Sequence, residues 1–374
     1  MAKNLIKHSP LALRHYREQL SLSVELLAKK TKIPLDKLVK AEQETPVFTF
    51  KQVKDIAKVL LIDDFLLLTD TLSYPNIPNK IEYRNYIESD DEKTHYLQQK
   101  AVYELLNNRE NLLYTYESMD TTPEPFLLKL SGNNAKDDAT IIREWLGVDN
   151  AKLKTENSDD YYRSWRLLIE KKDVLVIELS AIKIGSEGMA LYYETLPIIA
   201  ILSLGQNPSR RLFTMIHELV HLGLNQSTID GDILNSNEKI ERYCNQVAGY
   251  VLLPEDIAKE LYDNTLNLEQ NILTIRKKIK VSKQAIAIQL KLLGYITQNE
   301  LNDYFDDLLK ETENKSKIVF IKSETKANNQ FGKIYIQQVI SAVWQNSITV
   351  NTALNMLHLK NVEQLTALEQ KVFV

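Results

Sequence analysis

The residues best equipped for chemistry are His217-Glu218-Leu219-Val220-His221. Histidines four positions apart stand one turn apart on one helix face, so their imidazoles can converge on a single metal ion. Glu218, beside the first of them, is placed as general base toward a water that the metal polarises. Zinc brings the pKa of such a water to about 7, so peptide hydrolysis needs no covalent intermediate. A catalytic zinc takes three protein ligands and keeps the fourth position open. A longer motif with a third histidine is excluded, because Leu224 and Ser227 stand where its Gly and His would be. Glu241, on a second expected helix, offers a carboxylate as third ligand, and Asn245, one turn later, is placed to orient His217 or His221 from behind. Glu238 competes for the ligand role but opens its helix and lacks such a downstream partner. Two imidazoles and one carboxylate suit Zn2+, and also Mn2+ or another divalent ion. Cys244 reads as a small buried residue beside Val247 and Ala248 rather than a ligand, and His8, His15, His95 and His358 read as scattered surface residues. Tyr192, Tyr193, Arg211 and Tyr243 are candidates to face the developing oxyanion.

Several elements must hold this constellation. Residues 209–222 and 238–253 have helical periodicity, as do 138–146 and 160–170, while 174–179 and 197–204 are short apolar, β-prone runs. Residues 198–202 are the expected edge strand, along which an extended substrate could lie by strand addition. Farther upstream, residues 24–30, a turn at 31–33 and residues 34–42 have helix-turn-helix spacing, with Pro34 suited to a first helical turn. The second helix would present Leu35, Asp36, Lys37, Val39 and Lys40 to bases and phosphates. Val53, Ile56, Ala57 and Leu60 then mark one helix face. Residues 96–116 continue helically, Pro123 and Pro125 break that helix, and the last hundred residues are mostly helical with an interruption expected over 311–330. Around 281–296 a helical hairpin supporting the catalytic part is expected.

The bulk numbers fit this picture. The 374 residues, 44% hydrophobic and 26% charged, suit a globular protein of two or three domains. A net charge of −4 excludes a chain-wide nucleic-acid surface, although residues 1–60 carry twelve Lys/Arg against six Asp/Glu. The single cysteine rules out an intrachain disulfide and suits a reducing compartment. The longest apolar run, around residues 197–204, falls far short of the roughly 20 residues that span a membrane. A cytoplasmic location, with no membrane partner, is the expectation.

Together the two motifs resemble known families. Residues 11–68 resemble an XRE/Cro-type helix-turn-helix domain, with Leu27-Ala28, Ile33, Leu38, Glu42, Pro46 and Ile56-Ala57 at its signature positions. Arg211 to Ile216 leading into His217–His221, then Glu241 to Ala248 and Leu252-Leu253-Pro254, resemble the ImmA/IrrE metallopeptidases. Glu82-Tyr83-Arg84, residues 143–148 and residues 281–285 resemble segments of its long, fused members. The resemblance implies a bacterial, phage or mobile-element regulator that cleaves an XRE-type repressor at one bond and so derepresses stress-response or mobile-element genes. It implies zinc ligands His217, His221 and Glu241, a gluzincin-like set, with Glu218 as base. Lys32 departs from the glycine usual in the XRE turn, and the expected recognition helix has few base-reading side chains. DNA, or a repressor's similar domain, is therefore the expected partner of that region, and a homodimer is a further expectation. The fold expected is α+β and mostly α. It comprises a helix-turn-helix domain (1–70), a helical linker region (71–130), a zinc peptidase domain with a small sheet (131–265) and a helical C-terminal domain (266–374).

Overall fold

The computed structural model describes residues 4–72, 82–83, 92–180, 187–224, 233–311 and 322–373. Contacts divide them into two units, the first built from residues 1–77, 86–108 and 182–185, the second from residues 78–85, 109–181 and 186–374.

In the first unit, β1 (Leu5–Ile6) leads into α1 (Pro10–Gln19), α2 (Val24–Thr31) and α3 (Leu35–Ala41). The unit continues with β2 (Phe48–Thr49), antiparallel to β1, and α4 (Phe50–Leu60). Side-chain caps start these helices: Ser9 accepts the Ala12 N–H, Ser23 the Leu26 N–H, and Thr49 and Gln52 form a capping box. Val53, Ile56, Ala57 and Leu60 are all buried, as their spacing requires. Lys32 ends α2 at φ 58°, the left-handed turn that glycine would occupy without strain. His8 corrects the expectation of a surface residue. It is 3% exposed, with Nε2 2.9 Å from the Ala41 carbonyl and its ring against Phe48.

In the second unit, β3 (Glu82–Tyr83) precedes α5 (Glu92–Ser118), of which residues 109–118 belong here. There follow α6 (Ala135–Leu146), α7 (Ser158–Glu170), β4 (Leu175–Glu178), β5 (Gly188–Leu191), β6 (Ile198–Ile201), α8 (Pro208–Leu224) and α9 (Ile233–Leu252). The strands run in the order β3-β5-β6-β4, with β4 and β6 parallel and the other pairs antiparallel. This corrects the edge-strand expectation for residues 198–202. β6 is hydrogen-bonded on both sides, and every residue in it is buried. An unbroken apolar run is what an interior strand needs, since neither of its faces meets water. The structure also adds β5, whose Gly-Met-Ala-Leu sequence has no alternation to betray it.

The chain ends in helices: α10 (Glu255–Leu261), α11 (Leu268–Lys278), α12 (Lys283–Leu292), α13 (Gln298–Glu311), α14 (Ser323–Phe331), α15 (Lys333–Trp344), α16 (Val350–Met356) and α17 (Val362–Val372). Of the interruption expected over 311–330, residues 312–321 lie outside the described residues, and α14 makes its end helical. Buried polar groups of α7 anchor these helices. Arg166 donates to the carbonyls of Asn329 and Gln330, while Glu170 accepts the N–H groups of Lys333 and Ile334. Gly332 lies so close to Glu170 Oε1 that a Cβ there would stand 1.7 Å away, and its φ of 77° excludes other residues without strain. The chain is mostly helical with small sheets, and no described helix is long and apolar enough to cross a membrane.

Candidate metal centre

The centre sits where α8 packs on α9 beneath β5. Pro208 opens α8 with a ring that suits a first turn, and from Thr214 to Leu224 every residue is buried. A helix this apolar can carry His217, Glu218 and His221 inside only if each finds a polar partner or an ion. From α9, Glu241 brings its carboxylate between the imidazoles, with Oε2 3.2 Å from His217 Nε2 and Oε1 3.2 Å from His221 Nε2. The two Nε2 atoms are themselves 3.0 Å apart. One ligand atom from each of the three residues thus lies within 4.8 Å of the others. A tetrahedral zinc with bonds of about 2.0–2.1 Å separates its ligand atoms by about 3.3 Å. The donor set fits such an ion in type and spacing.

A second partner holds one of the candidate ligands in place. His217 Nδ1 lies 3.1 Å from Asn245 Oδ1, and a proton donated there leaves Nε2 as a lone pair aimed at the centre. Cys244, one turn after Glu241 on α9, is fully buried in the core, as its reading as a small buried residue expected. Burial alone would lower the pKa of His221, yet hydrogen bonds to Cys244 and Glu241 outweigh it and raise the imidazole well above its ordinary value. Burial likewise opposes ionisation of Glu241, but hydrogen bonds and charge from His217 and His221 hold its carboxyl far below the usual range. The cluster therefore favours positive charge against an ionised Glu241, whether protons on the imidazoles or a divalent cation between them.

Glu218 is fully buried and lies under β5 at Gly188. A Cβ on Gly188 would stand 2.5 Å from Glu218 Oε1 and 2.7 Å from Thr214 Cγ2. The strand approaches the helix as only glycine permits, and nothing in the sequence pattern signalled that role.

Other residues singled out from the sequence fall elsewhere. The Tyr243 hydroxyl donates to Asp138 Oδ2 (2.7 Å), and Arg211 is held by Glu178 (2.8 Å) and Asp159 (3.1 Å). The Arg109 guanidinium lies 3.7 Å from the Tyr193 ring centre, and Tyr192 packs edge-on against Phe126. These contacts tie all four oxyanion candidates into the surrounding scaffold. The side chains of Glu238 and His95 lie outside the described residues. In the first unit, Leu35, Asp36, Val39 and Lys40 are exposed on α3, whereas Lys37 turns back to Gln52 Oε1 at 2.7 Å.

Residues 169–291 match the Peptidase M78 family model, an IrrE N-terminal-like domain. The match spans β4 to α12 and contains His217, Glu218, His221 and Glu241. No curated protein and no solved structure matches the chain.

Proposed function

We propose that the chain is a zinc-dependent endopeptidase that cuts one peptide bond of a repressor-type protein. The observation that carries the reading is the convergence of His217, His221 and Glu241 to about one zinc-ligand spacing, inside a segment similar to a peptidase family. A metallopeptidase role accords with both. His217, His221 and Glu241 would hold a divalent ion, which would supply Lewis acidity there. Glu218, buried and one residue from a ligand, takes the proton of the attacking water and returns it to the leaving amine. Asn245 keeps the His217 imidazole turned inward.

The N-terminal unit recruits the partner. Leu35 and Val39 are 41% and 44% exposed on α3, and apolar side chains there favour a protein surface, such as the repressor's own helical domain, over base edges. Flanking Asp36 and Lys40 leave DNA, and pairing with a second copy, as further uses of this face. The competing reading is a DNA-binding regulator or antitoxin that senses a signal without turnover. Co-expression with the repressor encoded beside the gene separates them. Glu218→Gln abolishes repressor cleavage while zinc content and operator binding stay intact. Unchanged behaviour of the Glu218→Gln protein in every assay refutes the peptidase reading.

A further inference from the structure

The sign of the chain reverses over residues 276–283. The whole sequence carries a net charge of −4, yet Arg276, Lys277, Lys278, Lys280 and Lys283 put five cations into eight residues, with no acid among them. The first three form the last turn of α11 and are exposed, Lys280 lies in the connection, and Lys283 opens α12. Glu269 pairs with Lys283 at 2.8 Å and also accepts from the Tyr304 hydroxyl. Arg276 stands in the field of that carboxylate, but neither it nor Lys277 or Lys278 makes an ion pair among the described residues. The helix dipole favours cations in the last turn of α11, but it does not call for Lys280 beyond that turn. It opposes Lys283 at the N-terminal end of α12.

The connection is fixed beside the candidate metal centre. Ser209, in the first turn of α8, donates to the Lys280 carbonyl at 2.6 Å. His217 follows eight residues later on the same helix, about 12 Å along its axis at about 1.5 Å per residue. Ser282, two residues after Lys280, lines a cleft of about 600 Å³ between α8, α9 and α12, and Asn245, the partner of His217, lines it too. Arg210 in that lining is balanced by Glu187, and Arg242 leaves the lining cationic on balance, in continuity with the ridge.

We infer that residues 276–283 are a docking ridge for an acidic segment of the protein that the peptidase cuts. The inference rests on the peptidase reading and names the substrate feature that reading leaves open. Carboxylates suit both kinds of cation here, the planar fork of Arg276 and the point charges of the lysines. An extended chain covers about 12 Å in about four residues, so the acidic segment stands about that far from the scissile bond. Nucleic acid, the other polyanion, is disfavoured by the place of the ridge, which leads into a cleft beside a peptidase centre on a chain of negative net charge.

Fluorescence anisotropy on the full chain at low salt tests this, with labelled hexaglutamate, hexaglutamine and a short random DNA duplex as probes. Hexaglutamate binds, and its binding fades as salt rises. Reversing the ridge (Arg276→Glu, Lys277→Glu, Lys278→Glu) weakens it about 10-fold or more. The same reversal on α4 (Lys51→Glu, Lys54→Glu, Lys58→Glu) leaves it unchanged, and all six positions are exposed, so neither variant buries a charge. A hydroxamate joined to hexaglutamate through four glycines then reads the link to the centre. On zinc-loaded protein it binds about 10-fold or more tighter than either part alone, and the ridge variant loses that gain. Equal binding of hexaglutamine, tighter binding of the duplex, indifference to the ridge reversal, or no gain from linking on zinc-loaded protein overturns the assignment. If the protein retains no zinc, the metal reading falls by itself. Hexaglutamate alone then decides the ridge: weakened binding on ridge reversal sustains it, and unchanged binding overturns it.

Discussion

Gly188→Ala should remove catalysis while leaving the metal in place. The added methyl would lie 2.5 Å from Glu218 Oε1, 2.9 Å from Glu218 Cγ and 2.7 Å from Thr214 Cγ2, where ordinary contact begins at 3.4 Å. Something must therefore yield by nearly 1 Å. Thr214 is β-branched and held in a helix, so its χ1 is stiff. The carboxylate of Glu218 has more torsional freedom, and it is the group that moves. Misplacing a catalytic group by about 1 Å costs on the order of 100-fold in rate. Overpacking of this kind destabilises by about 1–3 kcal/mol. Replacing glycine returns about 0.4–1 kcal/mol by restricting the unfolded chain, so the net loss of stability is modest. The three atoms nearest the methyl belong to Glu218 and Thr214, not to His217 or His221, so zinc stoichiometry should stay at the wild-type value. The assay is kcat/KM on the cleaved repressor, with zinc content and Tm measured on the same preparation. A kcat/KM within about threefold of wild type would refute the seating of β5 on Glu218. Loss of zinc would refute it equally, because the disturbance would then have spread to the ligands.

Four further outcomes follow from the same contacts. Asn245→Ala frees the His217 ring and should weaken zinc binding by about 10–100-fold, measured by competition with a chromogenic chelator. Chelation should lower Tm: zinc at 100 times its Kd stabilises by about 2.7 kcal/mol, and Glu241→Ala should abolish the difference between loaded and stripped protein. Asp138 is acid-sensitive by design of its contacts. Burial raises its pKa, but the N–H groups of Ser131 and Gly132 and the Tyr243 hydroxyl outweigh that and depress it below 3.8. Its contribution is thus present above about pH 4 and lost as pH falls through the folded value. Asp138→Asn should cost about 1–3 kcal/mol at pH 7 in urea unfolding, with the gap to wild type closing below pH 4. Lys32→Gly should raise the stability of the N-terminal unit by about 1 kcal/mol, since a φ of 58° strains lysine but not glycine. An unchanged or lower Tm would show that the turn is not strained.

What the sequence made legible follows the range of the interactions concerned. His217 and His221 needed only the geometry of one helix, and Glu241 with Asn245 needed one more. Periodicity exposes such relations because residues three and four apart share a face. The helices carrying them were found within a few residues of their ends. Gly188 was illegible for the opposite reason. Its role lies in what an absent Cβ would strike on a different element, and a single glycine in a four-residue strand leaves no pattern. Residues 198–202 were recognised as a strand but given the wrong place, because strand propensity does not say which side is paired. The apolar walls on both faces of β6 did carry that information, and His8 was misplaced for want of a similar cue. Cys244 reads as core by every local rule and is buried, whereas Glu241 and Asn245 meet the imidazoles only through the rotation of α9 against α8.

That rotation accounts for the arrangement of the whole centre. α8 contributes both imidazoles and Glu218, while α9 contributes Glu241 and Asn245, the partner of His217. Glu241, Cys244 and Asn245 stand at i, i+3 and i+4, one face of a single helix. Turning α9 by one residue would remove the candidate third ligand and the partner of His217 together. The register is fixed farther along the same helix, where Val247, Ala248 and Val251 are fully buried. It is fixed again at its end, where Gln289 of α12 holds the Leu253 carbonyl. The second partner of His217 is therefore a consequence of helix packing as much as of local chemistry. This is why one short apolar helix face encodes both the stability of the fold and the aim of its three candidate ligands.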